Sequence, residues 1–470
     1  MKIEQIYTGC LAQGAYFIQS KGEAAVIDPL REVAPYLERS ERNNVTIKYI
    51  FETHFHADFV SGHVTLAEKT GAMIVFGPNA ETSYASHIAK DGEDFQLGDV
   101  TIRVLHTPGH TMESTTYLLL DADGKEHAIF TGDTLFLGDV GRPDLAQKSA
   151  SLTQEELAGT LFNSLRAKIM PLPDDVTVYP AHGAGSACGK NMMKETVDTL
   201  GNQKRMNYAL RADMTQDEFI REVTDGLMPP PPYFPLNVKL NKEGGYSDIE
   251  DVLTNGQRPL SPTDFEAAAN KTAALILDVR ASEDFANSHV PNSIFIGLDG
   301  NFAPWVGELI VDVKKKVLLI APEGREEEAV TRLARVGFDQ TIGFLQGGME
   351  AWSAAGKSTA SVVSISAKQF ESVYATHRDR IFDVRKLGEY QSEHVEGSHL
   401  APLSSLNDHL AQFPADEPFY LHCAGGYRSI IASSMLKARG IHNMVNIQGG
   451  YTAISSTQIP KTNYVCPSTL

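Results

Sequence analysis

The segment Thr53–Phe59, with the sequence THFHADF, holds the residues whose types and spacing are best suited to metal chemistry. His54, His56 and Asp58 occupy alternate positions, and imidazoles and carboxylates are groups that bind transition metals. The following residue is Phe59, whose side chain cannot bind a metal. The segment therefore indicates a metal-binding loop in which Phe59 supplies no ligand.

Three further clusters of candidate ligands each follow an apolar run that predicts a strand. His110 comes after a strand and a Pro-Gly turn, Asp133 follows the run AIFTG, and His182 follows the run VYPA. A metal needs ligands that converge from several strand ends, and glycines beside those ligands let the backbone approach closely. A lone histidine after a strand is usually an ordinary polar residue, so the prediction of a metal site depends on all four clusters together.

The kind of metal depends on which of these residues are ligands. A set made of His54, His110 and Asp133 would supply two imidazoles and one carboxylate and leave coordination positions open. Such a set suits non-haem ferrous iron. Zinc accepts the same donors and also keeps an open position in hydrolytic sites, so the residues alone leave zinc as an alternative.

The chain through residue 190 resembles the persulfide dioxygenases. The ligand clusters carry this resemblance together with Gly138–Asp144 (GDVGRPD) and Tyr179–Gly183 (YPAHG). The resemblance implies a metallo-β-lactamase αββα sandwich and one Fe(II) per chain. The iron ligands of that family match three residues here: His54, His110 and Asp133.

By the same resemblance, a group of residues surrounds the ligands, orients them and shapes the cavity: His56, Asp58, His182 and Tyr179. Such surrounding groups are typically worth ~10–100-fold in metal affinity or activity. In related two-metal hydrolases the pattern H-x-H-x-D-H supplies ligands to both metals, and Phe59 stands where its last histidine would be. Phe59 therefore supports a site for a single metal.

Arg142 and Tyr179 are candidates for contact with the substrate. A guanidinium and a phenol would suit a persulfide anion and the carboxylates or phosphates of its carrier. The alternative for Arg142 is a structural salt bridge with Asp144.

Cys188 lies in a glycine-rich segment a few residues after His182. One hypothesis is an accessory thiol that relays or senses persulfide near the metal. The alternative is a loop thiol without a chemical role.

The second chemical feature is Cys423, which lies between a predicted strand at Phe419–His422 and a predicted helix. Backbone amides and the positive end of a helix dipole meet at such a position and favour a thiolate. The segment resembles the rhodanese active-site loop, which implies that Cys423 accepts a sulfane sulfur and that Arg428 holds the anionic donor or acceptor. The rest of the sulfur-binding loop is Ala424, Gly425, Gly426, Tyr427 and Ser429. The alternative, a buried structural cysteine, would need neither the glycines nor the arginine.

An internal repeat accompanies this loop. Asp278 and Asp383 lie 105 positions apart in the matching runs LDVR and FDVR, and the run QGG recurs at a spacing of 102. The repeat predicts two rhodanese-like units, and the position in the first unit that matches Cys423 is Ala321. The first unit lacks the nucleophile and its loop is acidic, so we expect a structural or interface module that repels anionic persulfides.

The 470 residues agree with about three domains. We predict a metallo-β-lactamase-like domain at 1–250, a rhodanese-like domain without the catalytic cysteine at 258–357, and a rhodanese domain at 363–470. The proline run at Met228–Pro235 predicts an extended linker. In both rhodanese-like units, short apolar runs alternate with helical patterns, which predicts α/β domains with parallel sheets.

The charge balance and the cysteine content restrict the location and the partners. A net charge of −18 without a basic cluster argues against a nucleic-acid partner. No apolar run approaches the ~18 residues that a membrane span needs, and no signal peptide is evident. The four scattered cysteines predict a reducing compartment, and we expect a cytoplasmic protein. The family resemblance implies a homo-oligomer.

These observations together predict a bifunctional sulfur-oxidising enzyme. Iron would oxidise a low-molecular-weight thiol persulfide with O2 to sulfite and thiol, and Cys423 would transfer sulfane sulfur to form or use thiosulfate. One alternative is a zinc thioester hydrolase similar to glyoxalase II, which Phe59 argues against. A second alternative is a non-enzymatic sulfur-carrier scaffold, which the complete Cys423 loop argues against.

Overall fold

The computed structural model describes residues 1–147, 151–227 and 229–466. Internal contacts divide the chain into two units, Met1–Ile249 with Leu333–Gly337 and Glu250–Arg332 with Phe338–Leu470. Among the described residues, none of the helices combines the length and apolar character required to span a bilayer.

The first unit contains two six-stranded sheets. The strands of its first sheet are β1 Lys2–Thr8, β2 Gln13–Ser20, β3 Glu23–Ile27, β4 Thr46–Phe51, β5 Met73–Phe76 and β6 His87–Ile88. They lie side by side in chain order, antiparallel from β1 to β3 and parallel from β3 to β6. The parallel part brings the carboxyl ends of β3 and β4 to the same edge.

The strands of the second sheet are β7 Asp94–Leu97, β8 Val100–His106, β9 Thr115–Leu120, β10 Glu126–Gly132, β11 Thr177–Pro180 and β12 Asp198–Thr199. Their order is β12-β11-β10-β9-β8-β7, and only β10 and β11 pair in parallel. The predicted ligands His110 and Asp133 follow β8 and β10, and His182, predicted to support the ligands, follows β11.

The helices of the first unit are α1 Ala34–Asn43, α2 His63–Thr70, α3 Gln154–Ser164, α4 Leu200–Met206, α5 Gln216–Thr224 and α6 Phe234–Glu243. A π-helical turn, Leu165–Ile169, extends α3, and a 3-10 turn, Tyr208–Leu210, follows α4. Thr153 and Glu156 form a capping box that fixes the start of α3.

The two sheets pack face to face through side chains such as Tyr16, Phe51, Tyr117 and Phe130. Side chains alternate between the faces of a strand, so the neighbours of Tyr16 in β2 point outward, where α1 and α2 cover them. The helices α3 and α5 cover the outer face of the second sheet. These layers form the predicted αββα sandwich, and because both faces of each sheet are covered, the central strands are apolar throughout.

The second unit contains two five-stranded sheets. The strands of the first are β13 Pro259–Leu260, β14 Leu275–Asp278, β15 Ile294–Phe295, β16 Val317–Ile320 and β17 Thr341–Leu345. The strands of the second are β18 Ser364–Ser366, β19 Ile381–Asp383, β20 Ser398–Leu400, β21 Phe419–His422 and β22 Met444–Gln448. Their orders, β13-β17-β16-β14-β15 and β18-β22-β21-β19-β20, are equivalent, and all of these pairs are parallel.

The helices beside the first of these sheets are α7 Ile249–Gly256, α8 Pro262–Thr272, α9 Ser282–Asn287, α10 Phe302–Leu309, α11 Glu326–Arg335 and α12 Gly348–Ala354. Those beside the second are α13 Ala367–His377, α14 Leu387–Ser392, α15 Tyr427–Lys437 and α16 Gly450–Ile454, with a 3-10 segment at Leu403–Gln412. Each sheet has its own apolar core, centred on Phe265 and Trp352 in the first and on Phe370 and Tyr420 in the second.

The predicted fold class is therefore confirmed for both halves of the chain, including the parallel sheets of the rhodanese-like domains. The domain boundaries at 250, 258, 357 and 363 stay a prediction. In the predicted proline linker, Met228 lies outside the described residues, and the linker is shorter than predicted because α6 begins at Phe234. Proline is tolerated in the first turn of a helix, where its missing N–H costs no hydrogen bond.

Candidate metal centre and thiol site

Three of the predicted ligands come together at one edge of the sandwich. His54 follows β4, His110 follows β8 and Asp133 follows β10 directly, and all three side chains are buried. One donor atom from each lies within 4.8 Å of the others. The Nε2 atoms of His54 and His110 are 3.9 Å and 3.4 Å from Oδ2 of Asp133. Two imidazoles and one carboxylate are therefore arranged around a common point.

The first imidazole is oriented by residues that sequence reasoning missed. Thr53 Oγ1 donates to Asp28 Oδ2 at 2.8 Å and lies 3.0 Å from His54 Nδ1. Because its proton goes to Asp28, the Thr53 hydroxyl accepts from His54 Nδ1–H. The lone pair on His54 Nε2 is then free for a metal. The only sequence signal was that Thr53 precedes His54.

The second imidazole is oriented by the backbone. His110 Nδ1 lies 2.8 Å from the Arg142 carbonyl oxygen, which can only accept a hydrogen bond. Nδ1 therefore carries the proton, and Nε2 faces Asp133. Gly141 lies beside this contact, and a Cβ there would lie 2.0 Å from the Asp133 carbonyl oxygen. The close approach of Gly141 to the Asp133 carbonyl oxygen thus explains why the motif GDVGRPD has a glycine before Arg142.

The donor set fits a metal cation. Both carboxylate oxygens of Asp133 are buried without a hydrogen-bond partner among the described residues. A buried carboxylate without a donor is unfavourable, and a cation between it and two imidazole lone pairs would remove that cost. Two histidines and a carboxylate with open positions match non-haem Fe(II), and zinc accepts the same donors.

A second group of donors shares Asp133. His182 Nε2 lies 3.6 Å from Asp133 Oδ1 and 3.4 Å from Asp58 Oδ2. Cys188 is also buried, and its thiol lies within 4.8 Å of donor atoms of Asp133 and His182. Phe59 contributes no donor, and its ring instead stacks on His56 with a centroid distance of 4.3 Å.

His56 lies beside two other acids, and one of its ring nitrogens is also within 4.8 Å of donor atoms of Asp58 and His182. The Nε2 atom of His56 lies 3.1 Å from Asp28 Oδ1 and 3.5 Å from Glu52 Oε2. Burial alone would lower the pKa of His56, but the carboxylates of Asp28 and Glu52 raise that pKa to about 9. The supporting role of His56 stays a prediction.

Asn241, in α6, fixes the loop that carries these residues, and no sequence motif pointed to it. Its amide Nδ2 donates to the carbonyl oxygens of His56 and Phe59, both at 2.8 Å. Its Oδ1 accepts from the Ser61 amide at 2.8 Å. The side chain is almost completely buried. A helix that follows the proline segment thus stabilises a loop 180 residues earlier in the chain.

The remaining candidates of the first unit have other contacts. Arg142 forms a buried salt bridge with Asp144, with Nε–Oδ1 at 2.6 Å and Nη2–Oδ2 at 2.7 Å, as its structural alternative predicted. The ring of Tyr179 stacks on Phe130 at 5.2 Å in the aromatic core. Burial and the carboxylate of Asp133 raise the pKa of the Cys188 thiol well above its usual value, which disfavours the thiolate. The substrate contacts of these residues stay predictions.

In the second unit, Cys423 directly follows β21 and is buried. The Gly426 amide donates to its Sγ at 3.1 Å, just before α15 begins at Tyr427. Ser429 does not cap this helix, since its hydroxyl donates back to the Gly426 carbonyl oxygen at 3.1 Å. The loop therefore has the strand–thiol–helix arrangement that its sequence predicted.

Arg428 is paired with an acid that the sequence reasoning did not single out. Its Nη1 and Nη2 donate to the two carboxylate oxygens of Glu389 at 2.6 Å and 2.8 Å. Burial alone would raise the pKa of Glu389, but the Arg428 guanidinium lowers it, so the carboxylate stays charged. Contact of Arg428 with a sulfur anion stays a prediction, and such an anion would compete with Glu389.

The start of α16 forms backbone hydrogen bonds with the Cys423 loop. The Tyr451 amide donates to the Cys423 carbonyl oxygen at 2.6 Å, and the Thr452 amide donates to that of Ala424 at 3.0 Å. Gly450 has a φ of +56°, and a Cβ there would lie 2.4 Å from the Cys423 carbonyl oxygen. The repeated run QGG was the sequence signal for this contact, but its role was not predicted.

The sequence matches the Metallo-beta-lactamase superfamily over residues 8–182. It matches the rhodanese-like domain twice, over residues 261–355 and 366–457. The first match contains the three predicted ligands and His182. The matches to the rhodanese-like domain contain Ala321 and Cys423.

Among related proteins, the probable hydroxyacylglutathione hydrolase of Schizosaccharomyces pombe is 32% identical over 163 residues, which are 34% of this chain and 59% of that protein. The chain thus spans less than two thirds of this relative. A crystal structure of a metallo-beta-lactamase from Staphylococcus aureus is 30% identical with a TM-score of 0.64, covering 73% of this chain and 98% of that one. The structure of ETHE1 from Myxococcus xanthus is 29% identical with a TM-score of 0.44, covering 52% and 98%.

Proposed function

The chain belongs to the metallo-β-lactamase superfamily and carries two rhodanese-like domains, and on this premise we propose that it is a bifunctional sulfur-oxidising enzyme. Its first activity is the oxidation of a low-molecular-weight thiol persulfide by O2 to sulfite and the free thiol. Its second activity is the transfer of sulfane sulfur through Cys423, which forms or uses thiosulfate.

One observation carries the proposal. The same chain contains a buried group of two histidines and one aspartate, whose carboxylate oxygens have no hydrogen-bond partner among the described residues. It also contains a cysteine loop in which the Gly426 amide donates to the Cys423 thiol. Two histidines and a carboxylate suit ferrous oxygenases, and the cysteine loop suits sulfur transfer. A persulfide is a substrate that both kinds of site can use.

The oxidation is balanced in atoms and in electrons. One persulfide RSSH, one O2 and one water give RSH and sulfurous acid, which loses two protons to become sulfite. The S–S bond breaks, the terminal sulfur gives up four electrons, and O2 accepts them. A ferrous ion held by His54, His110 and Asp133 would supply the open coordination positions and the electron transfer.

The side chains of the first unit hold and orient the candidate metal ligands. Thr53 and the Arg142 carbonyl hold the protons on Nδ1 of the two histidines, so that both Nε2 lone pairs stay available. Asp58 and His182 supply polar groups at the other side of Asp133. The donor side chains are buried, and low exposure to water strengthens electrostatic contacts with a persulfide anion.

In the transfer reaction the Cys423 thiolate attacks the outer sulfur of thiosulfate. The S–S bond to the sulfite group breaks, its electron pair leaves on sulfite, and Cys423 becomes a persulfide. The Gly426 amide donates to the attacking sulfur. In the opposite direction, a Cys423 persulfide gives its outer sulfur to the sulfite that the first site produces.

The test is elemental analysis of anaerobically prepared protein combined with an oxygen electrode and a low-molecular-weight persulfide. We expect about one iron per chain and oxygen uptake matched by sulfite release, as a site of three protein ligands with open positions predicts. Two zinc ions per chain with thioester cleavage and no oxygen uptake would refute the dioxygenase.

A zinc thioester hydrolase is the second candidate. The position of His182 favours it, because its Nε2 lies 3.4 Å from Asp58 Oδ2 and 3.6 Å from Asp133 Oδ1, and these donors would suit a second metal. The relative named as a probable hydroxyacylglutathione hydrolase agrees with this candidate. Phe59 argues against it, since a phenyl ring stands where the two-metal pattern has a histidine.

A further inference from the structure

Tyr427 connects the Cys423 loop to the rhodanese-like domain that lacks the cysteine. It follows Gly426, whose amide donates to the Cys423 thiol. Its hydroxyl donates to the carbonyl oxygen of Gly297 at 2.8 Å, just after β15 in the first rhodanese-like domain. Its ring meets that of Phe295 edge-on at 5.8 Å. The side chain of a sulfur-loop residue is therefore held by the other copy of the repeat.

The Tyr427 ring packs so closely against Gly300 that no side chain would fit at position 300. A Cβ on Gly300 would lie 2.4 Å from Cζ and 2.6 Å from Oη of Tyr427. Burial raises the pKa of the Tyr427 hydroxyl above its usual range, so the phenol stays protonated and donates. We call the residues Phe295–Gly300 that form this pocket the brace segment.

A second bond joins the brace segment to the same helix. The Phe295 amide donates to Ser434 Oγ at 3.0 Å, and both residues are buried. Tyr427 and Ser434 are seven positions apart in α15, so they lie on one face of the helix. The brace segment therefore contacts α15 at its first residue and again two turns later, and the start of this helix is the end of the sulfur loop.

The other side of the brace segment is held by residues that follow Ala321. Arg325 Nη1 donates to Asp299 Oδ1 at 2.8 Å, and Arg332 Nη1 donates to the Leu298 carbonyl oxygen at 2.6 Å. At the repeat spacing of 102, Arg325 is the counterpart of Tyr427. The loop that lacks the thiol and the loop that has it therefore contact the same segment.

We infer that the first rhodanese-like domain is the support of the transferase site, and that Tyr427 is a positioning residue that aims the Gly426 amide at Cys423. The effect that this inference predicts on kcat rests on the proposed transfer activity. The loss of the cysteine at position 321 fits this role, because the domain acts through the brace segment rather than through a nucleophile. Tyr427 would not touch the sulfur.

The test compares full-length variants. Tyr427→Phe removes only the hydroxyl bond, and Gly300→Ala pushes against the ring from the other domain. Tyr374→Phe is the matched control, since its hydroxyl also donates to a carbonyl oxygen, that of Glu396 at 2.9 Å, outside the loop. The measurements are kcat and KM for sulfur transfer from thiosulfate to cyanide, and the rate of Cys423 alkylation by iodoacetamide at pH 7, followed by peptide mass spectrometry.

For Tyr427→Phe and Gly300→Ala we expect kcat and the alkylation rate to fall by about threefold to tenfold, since a misaimed amide stabilises the thiolate less. The KM for thiosulfate stays within about twofold, because the Arg428–Glu389 pair is untouched. Tyr374→Phe retains wild-type values, and the Tm and circular dichroism of each full-length variant report that it is folded.

Wild-type kcat and alkylation in both Tyr427→Phe and Gly300→Ala would overturn the inference. An equal loss in Tyr374→Phe would do the same, because it would show a general effect of removing a hydroxyl. If the wild-type chain transferred no sulfur, the proposed function would fail, and the alkylation rates alone would still decide the role of Tyr427.

Discussion

At the scale of single residues, the sequence indicated which candidate donors would lie together but not which residues would orient them. His54, His110 and Asp133 follow strands in an order that indicates a metal site. Thr53 and Asp28, which orient His54, are 25 positions apart and belong to no recognisable motif. Donor chemistry is visible in residue types, whereas orientation depends on contacts that only the folded chain creates.

The loop that carries His54 should depend on Asn241. Asn241→Ala leaves two carbonyl oxygens and one amide buried without partners, and we expect a loss of about 2–4 kcal/mol. For a unit of this size this corresponds to a fall in Tm of roughly 5–15 °C. Calorimetry of the full-length protein measures the Tm, and elemental analysis reports the accompanying loss of metal.

Asn237 provides the matched control. It lies one turn earlier in α6, is equally buried, and its amide has no hydrogen-bond partner among the described residues. Asn237→Ala removes the same atoms without breaking a hydrogen bond, so it should cost about 1 kcal/mol or less. Equal losses in the two variants would show that the three bonds of Asn241 contribute nothing specific.

At the scale of secondary-structure elements, the β-strand and helix alternation predicted parallel sheets, because buried strands between helices read as short apolar runs. The strand order was not predictable, since it depends on pairings between strands far apart in the sequence. The repeat nevertheless predicted that the ends of β16 and β21 are equivalent, and the two sheets have equivalent strand orders.

The start of α16 should control the sulfur loop. Gly450→Ala adds a Cβ that would lie 2.4 Å from the Cys423 carbonyl oxygen, so the loop backbone must move. A displacement of this kind near a reacting atom lowers rates by up to about 100-fold, and we expect sulfur transfer to fall by about 10- to 100-fold. Steady-state transfer from thiosulfate to cyanide measures this loss.

The repeat supplies a control for that experiment. Gly348 is the counterpart of Gly450, with the same φ of +56°, but a Cβ there would meet no atom within 4 Å. Gly348→Ala therefore carries the same backbone strain of about 1–2 kcal/mol without displacing the Cys423 loop. Transfer that fell equally in both variants would contradict a specific contact at Gly450.

At the scale of the whole molecule, the metal group and the thiol lie in different units, so their reactions should be separable. Cys423→Ser removes the sulfur nucleophile and should abolish thiosulfate formation while oxygen uptake stays unchanged. His110→Ala removes a ligand and should lower oxygen uptake by more than about 100-fold, beyond the usual effect of a surrounding group. Oxygen-electrode assays and thiosulfate assays with added sulfite on the same preparations measure the two activities separately, and parallel losses would refute independent sites.

The glycine pairs that follow β17 and β22 have nearly the same backbone conformation. Gly347 and Gly348 have φ values of 73° and 56°, and Gly449 and Gly450 have 72° and 56°. The first copy has alanine at the position of the thiol, yet its main chain follows the same path. The path of the main chain therefore does not depend on the nucleophile, so the curve of this turn and the reactivity of the neighbouring loop are separate properties of the repeat.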